Sequence, residues 1–259
     1  LEGYVHGFST RLGGVSEGDF ASLNLSFTRG DEEAAVRENY RRLARALGAE
    51  VGQFVCSDQT HTVNVRRVTA ADAGKGLTRE RDYRDVDGLI TDEPGLVLST
   101  FYADCVPLYV VDPVHRAIGM SHSGWRGTAA RMGAVTLSAM QEAYGTRPED
   151  VVCAVGPSIC KDCYEVSADV ADIFAEEFPG HEQEILAESE KNSVGMAHAD
   201  KKYQLDLWKA NEIIFLEAGV RKEHLAVTDI CTCCNPKLLF SHRASHGKRG
   251  NLGGFLYLK

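Results

Sequence analysis

The stretch 103–127, ADCVPLYVVDPVHRAIGMSHSGWRG, constrains this chain more than any other, because it sets one thiol, one imidazole and one guanidinium around a single predicted β-hairpin. Two apolar runs, 106–111 and 117–120, flank Asp112-Pro113, a pair that favours a turn and cannot continue a strand ladder. Cys105 and His122 therefore fall at opposite chain ends of the hairpin, and antiparallel pairing brings such ends side by side. A thiolate and an imidazole held that close are suited to share a metal ion. After His122 the chain reads Ser-Gly-Trp-Arg-Gly and enters a helix-like segment, 128–144. Arg126 is thus expected near a helix start, where backbone donors and the positive dipole end favour anions. A metal beside an anion pocket is the expectation.

A third ligand comes from upstream, where His61 follows the polar break Ser57-Asp58-Gln59-Thr60 between the strand-like runs 53–56 and 63–68. His61, Cys105 and His122 make three protein ligands with an open fourth position, the zinc arrangement associated with chemistry rather than with structure. Spacing alone leaves open the alternative of hydrogen-bonded core histidines and an inert thiol. A second set of thiols, Cys160-x-x-Cys163 and Cys231-x-Cys233-Cys234, has pairs of the kind that build structural zinc sites. Their separation of about 70 residues is long for a ribbon or finger, so they are read as loop packing or incidental thiols.

Composition bounds the partners. A net charge of -9 argues against nucleic acid, which calls for a basic face, so any anion site must be local. No apolar run approaches the ~20 residues needed to span a bilayer, and the start Leu1-Glu2-Gly3-Tyr4-Val5-His6 carries no export signal. Eight cysteines in an acidic chain read as ligands, reactive groups or core residues sooner than as a disulfide framework, which implies a cytoplasmic home. With 259 residues and no repeat or linker-like break, one domain over 1–259 is expected, as monomer or homodimer.

Elsewhere the pattern predicts strands at 1–8, 96–101, 151–155, 225–230 and 255–258. Helices are expected from Asp31 to a stop at Gly48, over 167–178 with Val170, Ile173 and Phe174 inside, and over 206–218. The polar segments 68–85 and 179–199 read as exposed, the first as an excursion that covers a cleft.

Several blocks resemble one family. Gln59-Thr60-His61, Ala103-Asp104-Cys105-Val106-Pro107 and His122-Ser123-Gly124-Trp125-Arg126-Gly127 look like the QxH, ADCxP and HxGWRG motifs of the YfiH-like family, also called the multicopper polyphenol oxidoreductase or laccase-domain family. Ser9-Thr10-Arg11-Leu12-Gly13-Gly14, Leu23-Asn24-Leu25, Asp87-Gly88-Leu89, Gly156-Pro157-Ser158-Ile159 with Cys163-Tyr164-Glu165-Val166, and Phe240-Ser241-His242-Arg243 follow in the family's order. The sequence departs from the pattern at Thr62, where Gly is usual, and at Gly250-Asn251-Leu252.

The resemblance implies an α+β fold, a layered α/β/β/α sandwich with mixed or antiparallel sheets. It also implies a zinc-dependent purine nucleoside phosphorylase, acting on adenosine, inosine, guanosine or methylthioadenosine with phosphate, and with adenosine deaminase activity. Zinc held by His61, Cys105 and His122 suits either reaction, with Arg126 for phosphate; Arg11 and Arg243 are further candidates for phosphate or ribose, Asn24 and Gln59 for binding substrate, and Asn24, Gln59 and Ser241 for orienting the metal ligands by hydrogen bonds. Three alternatives are a copper-dependent polyphenol oxidase (laccase), a cysteine hydrolase using Cys105 and His122, and a peptidoglycan editing factor. A multicopper site calls for roughly ten histidines, mostly in His-x-His pairs. This chain has nine, none two apart, which leaves copper at the His-Cys-His site as the only oxidase route.

Overall fold

The structure, a computed structural model, describes residues 2–193 and 195–259. Leu1 of the expected first strand and Val194 of the expected loop 179–199 lie outside the described residues. The chain runs β1 (Tyr4–Phe8), α1 (Glu33–Leu47), β2 (Phe54–Cys56), β3 (Val65–Arg67), β4 (Gly88–Thr91) and β5 (Val97–Tyr102). The hairpin β6 (Val106–Asp112) and β7 (Ala117–Ser123) follows, then α2 (Trp125–Ala129), α3 (Met132–Tyr144) and β8 (Val152–Val155). The remainder is β9 (Glu165–Ser167), α4 (Ala168–Glu177), α5 (Glu182–Ile185), β10 (Leu186–Glu188), β11 (Lys202–Leu205), α6 (Leu207–Glu217), β12 (Leu225–Val227) and β13 (Leu252–Leu258).

Two sheets stack face to face between helices. One has the order β12-β8-β6-β7-β4-β3 and the other β1-β13-β5-β2, with both parallel and antiparallel pairs in each. The period of two along β6 explains the layering. Val106, Leu108 and Val110 point to one side and pack with Met132 and Met140 of α3 and Ile213 and Phe215 of α6. Tyr109 and Val111 point to the other, into a core shared with Leu98, Tyr102 and Leu256 of the second sheet. On that sheet's outer face α1 buries Val36, Tyr40, Leu43 and Ala44, at helical spacing, against Phe54, Val97 and Phe255. Each large apolar side chain buried this way stabilises the fold by about 1.5–3 kcal/mol relative to exposure. The order helix, sheet, sheet, helix is the α+β sandwich expected.

The expected hairpin forms, with Val106 opposite Ser123 and Pro107 opposite His122. Asp112 stabilises its turn: the carboxylate accepts from Val114 N and His115 N at 2.9 and 3.0 Å and from His115 Nδ1 at 2.8 Å. Gly48 ends α1 in the left-handed conformation at φ 70°, as expected.

Several boundaries differ from the sequence reading. The helix expected over 128–144 is two helices, broken where Arg131 adopts φ 60° and caps α3. Asp31 does not open α1; its carboxylate instead accepts from Ser16 Oγ and Asn24 Nδ2, tying two loops together. Ile173 of α4 faces outward, 38% exposed, while Val170 and Phe174 are buried. Segment 179–199 contains α5 and β10, and β10 pairs with β11 beside β9 in a small third sheet. Segment 68–85 is less exposed than its charges imply, because Lys75 bridges Asp72 and Asp82 at 2.7 and 2.8 Å and Leu77 and Tyr83 are buried. Strand β12 stops at Val227, and β13 begins at Leu252, three residues earlier than expected. The early start runs through Gly254, where a Cβ would collide with Met120 Cε of the facing sheet. No helix among the described residues is long and apolar enough to cross a membrane.

Candidate metal centre

His61, Cys105 and His122 converge: one ligand atom from each lies within 4.8 Å of the other two, and Cys105 Sγ is 4.0 Å from His61 Nε2. Around a tetrahedral zinc, bonds of about 2.0–2.3 Å place sulfur and nitrogen roughly 3.5 Å apart, so this donor set fits one ion with small adjustments. The hairpin positions two of the three ligands. His122 lies near the end of β7 and Cys105 sits just before β6, across the pairing of Val106 with Ser123. Gly124 follows at the helix start, and a Cβ there would come within 3.0 Å of both Cys105 Sγ and His61 Cδ2. Only a glycine leaves the ligands undisturbed.

One carboxylate fixes the two imidazoles. Asp87, fully buried, accepts from His122 Nδ1 at 2.8 Å, so the Nδ1–H tautomer leaves Nε2 free to bind a metal. The same carboxylate accepts from the backbone N–H groups of Thr60, His61 and Thr62 at 3.1, 3.1 and 2.9 Å, and from Thr62 Oγ1 at 3.0 Å. Those bonds hold the turn in which His61 adopts the left-handed φ of 66°, uncommon for a residue other than glycine. Thr62, the departure from the family's usual Gly, thus contributes a hydroxyl to the site.

The thiol is held in the same manner. Asp104, at φ 93°, precedes Cys105 and accepts from Thr232 Oγ1 and Arg243 N, each at 2.7 Å.

The electrostatics follow from this packing. Burial would raise the Cys105 thiol, but His122 and His61 hold it down to about 6. Burial would lower His122, but the Cys105 thiolate and Asp87 raise it to about 9. Burial opposes ionisation of Asp87 too, yet His122 and the Thr62 and Thr60 N–H groups keep it below the usual carboxylate range. A sulfur that ionises this readily is ready to act as a ligand.

The three ligands line a cleft of about 810 Å³. In an acidic chain this cleft gathers Arg29, Arg37, Arg79, Arg81, Arg84 and Arg249. Arg37 pairs with Glu33 at 2.7 Å and Arg81 with Asp58 at 2.6 Å. Among the described residues no carboxylate pairs with Arg29, Arg84 or Arg249. Arg249 is 8% exposed, its Nε is buried without a partner, and burial, with Arg29 adding to it, pushes its pKa down to about 10. Sequence reasoning missed Arg249 and Asp87 as site residues. Asp87 was visible within the Asp87-Gly88-Leu89 block, whereas nothing local distinguishes Arg249 from the other arginines.

The remaining expected site residues fall differently. Gln59 lines the cleft, but its amide is used on the backbone of Phe101, donating at 2.7 Å and accepting at 2.6 Å, so it holds the His61 loop. Asn24 is buried and bonded to Ser26, Asp31 and Asn251. Arg11 donates to Ala21 O and Pro236 O and lies 4.5 Å over the Phe240 ring. Arg243 donates to Cys163 O and Glu165 O. These three stitch loops together and do not line the cleft. Arg126 also lies outside it, stacked 4.2 Å over Trp125 within the five-residue helix α2. Ser241 likewise caps a turn, accepting from Ala244 N at 3.1 Å.

The thiols read as loop packing or incidental come together: Cys160, Cys163, Cys231 and Cys234 form a second group whose sulfurs lie within 4.8 Å of one another.

Comparison with known proteins agrees with this architecture. A family profile described as multi-copper polyphenol oxidoreductase laccase matches residues 5–259. The chain is 37% identical over 258 residues to the purine nucleoside phosphorylase YlmD of Geobacillus stearothermophilus, covering 98% of this chain and 90% of that protein. The crystal structure of that YlmD aligns at a TM-score of 0.89, covering 100% of this chain and 93% of its own. The crystal structure of Bacillus licheniformis hypothetical protein YfiH aligns at 0.91 with 33% identity, covering 99% and 93%. With its motifs, layered sheets and convergent His-Cys-His group in place, the chain belongs to the YfiH-like, laccase-domain family, whose relatives include enzymes named purine nucleoside phosphorylase.

Proposed function

We propose that this protein is a zinc-dependent purine nucleoside phosphorylase, with His61, Cys105 and His122 as the metal ligands and the arginine-lined cleft as the substrate site. The observation that carries this reading is Arg249. A buried guanidinium that no carboxylate pairs, its Nη1 donating to Gly250 O and Asn251 Oδ1 and its Nε without a partner, lies in the same cleft as the three ligands and offers its positive charge to a phosphate dianion. Arg29 adds a second positive charge there. Phosphate binding is therefore assigned to Arg249 and Arg29 in place of Arg126. Phe27, Leu77 and Phe101 offer apolar surface to a purine along the same cleft.

Zinc, when bound, supplies a Lewis acid beside this anion site, suited to orienting phosphate for phosphorolysis or to activating water for deamination of adenosine. Asp87 keeps His122 in the tautomer that leaves Nε2 free, and Asp104 holds Cys105 toward the same point. The guanidinium groups bring phosphate to the ribose anomeric carbon, where a C–O bond forms as the bond to the base nitrogen breaks and the base departs with its electron pair.

A cysteine nucleophile activated by His122 explains this geometry less well. It needs one base, and gives no role to a second imidazole 4.0 Å from the sulfur. A multicopper oxidase needs several histidines together. Among the described residues the two candidate metal groups contain two histidines in all.

The test is incubation of zinc-quantified protein with adenosine, with and without phosphate, resolving adenine, inosine and hypoxanthine. Adenine that appears only with phosphate supports phosphorolysis, and inosine formed without phosphate marks deamination. Adenosine left unchanged by zinc-loaded protein in both arms rejects the proposal.

A further inference from the structure

Cys160-x-x-Cys163 and Cys231-x-x-Cys234 meet outside the arginine cleft. Neither pair lines that cleft. Cys163 Sγ lies 3.4 Å and Cys160 Sγ 4.0 Å from Cys234 Sγ, and all four sulfurs are free thiols within 4.8 Å of one another. Four sulfurs bonded at about 2.3 Å to a tetrahedral ion sit roughly 3.8 Å apart, so these spacings suit a single ion. They are too close to enclose a cluster of several irons.

The backbone prepares the group. Cys231 Sγ accepts from the N–H of Cys160 at 3.3 Å and of Cys234 at 3.4 Å, which aims one sulfur at the centre of both turns. Ser158 and Cys231 form a parallel bridge in which Ser158 N donates to Ile230 O and Thr232 N to Ser158 O. That bridge explains how turns so far apart in sequence come to face each other. Cys234 is exposed, which leaves the group accessible to a metal.

We propose that Cys160, Cys163, Cys231 and Cys234 hold a second zinc ion, in a closed tetrathiolate site that is structural and separate from the His61-Cys105-His122 centre. Four thiols give up their protons to bind it, and no position remains open for a substrate. Its purpose is visible in what the two turns carry. Thr232, between the cysteines of the second turn, donates to Asp104, the residue before Cys105. Arg243 donates its backbone N–H to the same carboxylate and its guanidinium to Cys163 O. The ion therefore clamps the segments that orient the Cys105 thiol. Cys233, whose sulfur is outside the group, serves as an internal control.

The test is zinc content per chain of the full-length protein purified under reducing conditions, read together with the visible spectrum after cobalt substitution. The wild type is expected to hold two equivalents, one for each candidate group, and its cobalt form to show the intense bands of tetrathiolate coordination. The Cys163→Ser/Cys234→Ser variant should drop to one equivalent and lose those bands. The His61→Ala/His122→Ala variant should also hold one but keep them, and Cys233→Ser should match the wild type. Should the double-serine variant fail to fold, stepwise zinc release from the wild type by a mercurial thiol reagent, followed by the cobalt spectrum, gives the same answer. A wild type with at most one equivalent and no tetrathiolate bands, a double-serine variant that retains two, or a disulfide among the four in protein kept reduced would overturn the proposal. A wild type with one equivalent and no tetrathiolate bands overturns this proposal and leaves the phosphorylase reading, which uses the other group, in place; a wild type with no zinc at all overturns both.

Discussion

Replacing Asp87 by Asn tests the organisation of the site with almost no change in volume. The carboxylate accepts five hydrogen bonds: three from the N–H groups of Thr60, His61 and Thr62, one from Thr62 Oγ1 and one from His122 Nδ1. Oδ1 takes those of His61 and His122, and Oδ2 takes the other three, so an amide NH₂ in either orientation faces at least two donors. A hydrogen bond to a charged group is worth about 1.5–3 kcal/mol, and breaking a buried charged network costs about 3–5 kcal/mol, so the variant should lose stability on that scale. His122 can relieve its clash only by moving its proton to Nε2, the atom needed for the metal. Zinc affinity should therefore fall by about 10–100-fold, the usual cost of losing such a partner. Competition with a chromogenic zinc chelator and thermal unfolding with and without zinc measure the two effects. Asp85→Asn, on the exposed side of the same loop, is the control and should stay within about 0.5 kcal/mol of wild type. An Asp87→Asn protein with wild-type zinc affinity and stability would refute the assignment of Asp87 as the residue that sets both imidazoles.

Gly124→Ala should weaken zinc binding at this centre by at least about tenfold, since its Cβ presses on Cys105 and His61 at 3.0 Å, while the φ of -76° lets the backbone accept alanine and leaves the melting temperature of the metal-free protein unchanged. Arg249→Ala should raise the phosphate KM about 10–100-fold in steady-state phosphorolysis, the equivalent of one charge-assisted contact; an unchanged phosphate KM removes that residue from the anion site. Burial would raise the Asp112 carboxyl, but the Thr146 hydroxyl and the N–H and imidazole of His115 hold it below the usual carboxylate range, so it contributes stability that is complete above its unfolded pKa of about 3.9 and is lost as pH falls through its lower folded value. Asp112→Asn should then be less stable than wild type by about 1–2 kcal/mol near pH 7, with the gap closing below about pH 4 in denaturant titrations; a gap independent of pH would contradict this.

The hairpin and its two ligands were legible in the sequence because every constraint on them is local: alternating apolar residues, a turn-forming Asp-Pro and a strand length that returns the chain to its start. The α1 stop at Gly48 was legible for the same reason. The break between α2 and α3 was not, because Thr128-Ala129-Ala130-Arg131 contains no breaker, and the left-handed Arg131 is fixed by contacts with α4 and α6 through Glu177 O and Glu217. Asn24, Arg11 and Arg243 are polar residues in family blocks, and sequence alone cannot separate a polar group that binds substrate from one that ties loops together. The four-thiol group was discounted on its long intervening segment. What unites it is the bridge between Ser158 and Cys231, a tertiary pairing with no local signature.

The central claim is that His61, Cys105 and His122 bind one divalent ion at the arginine-lined cleft. Anomalous scattering at the zinc absorption edge, from crystals of protein purified without added metal, tests it most directly. A peak bonded to Cys105 Sγ and the two Nε2 atoms is the predicted result. Zinc-replete crystals with no peak there, or with the Cys105 sulfur turned away from both rings, would contradict it.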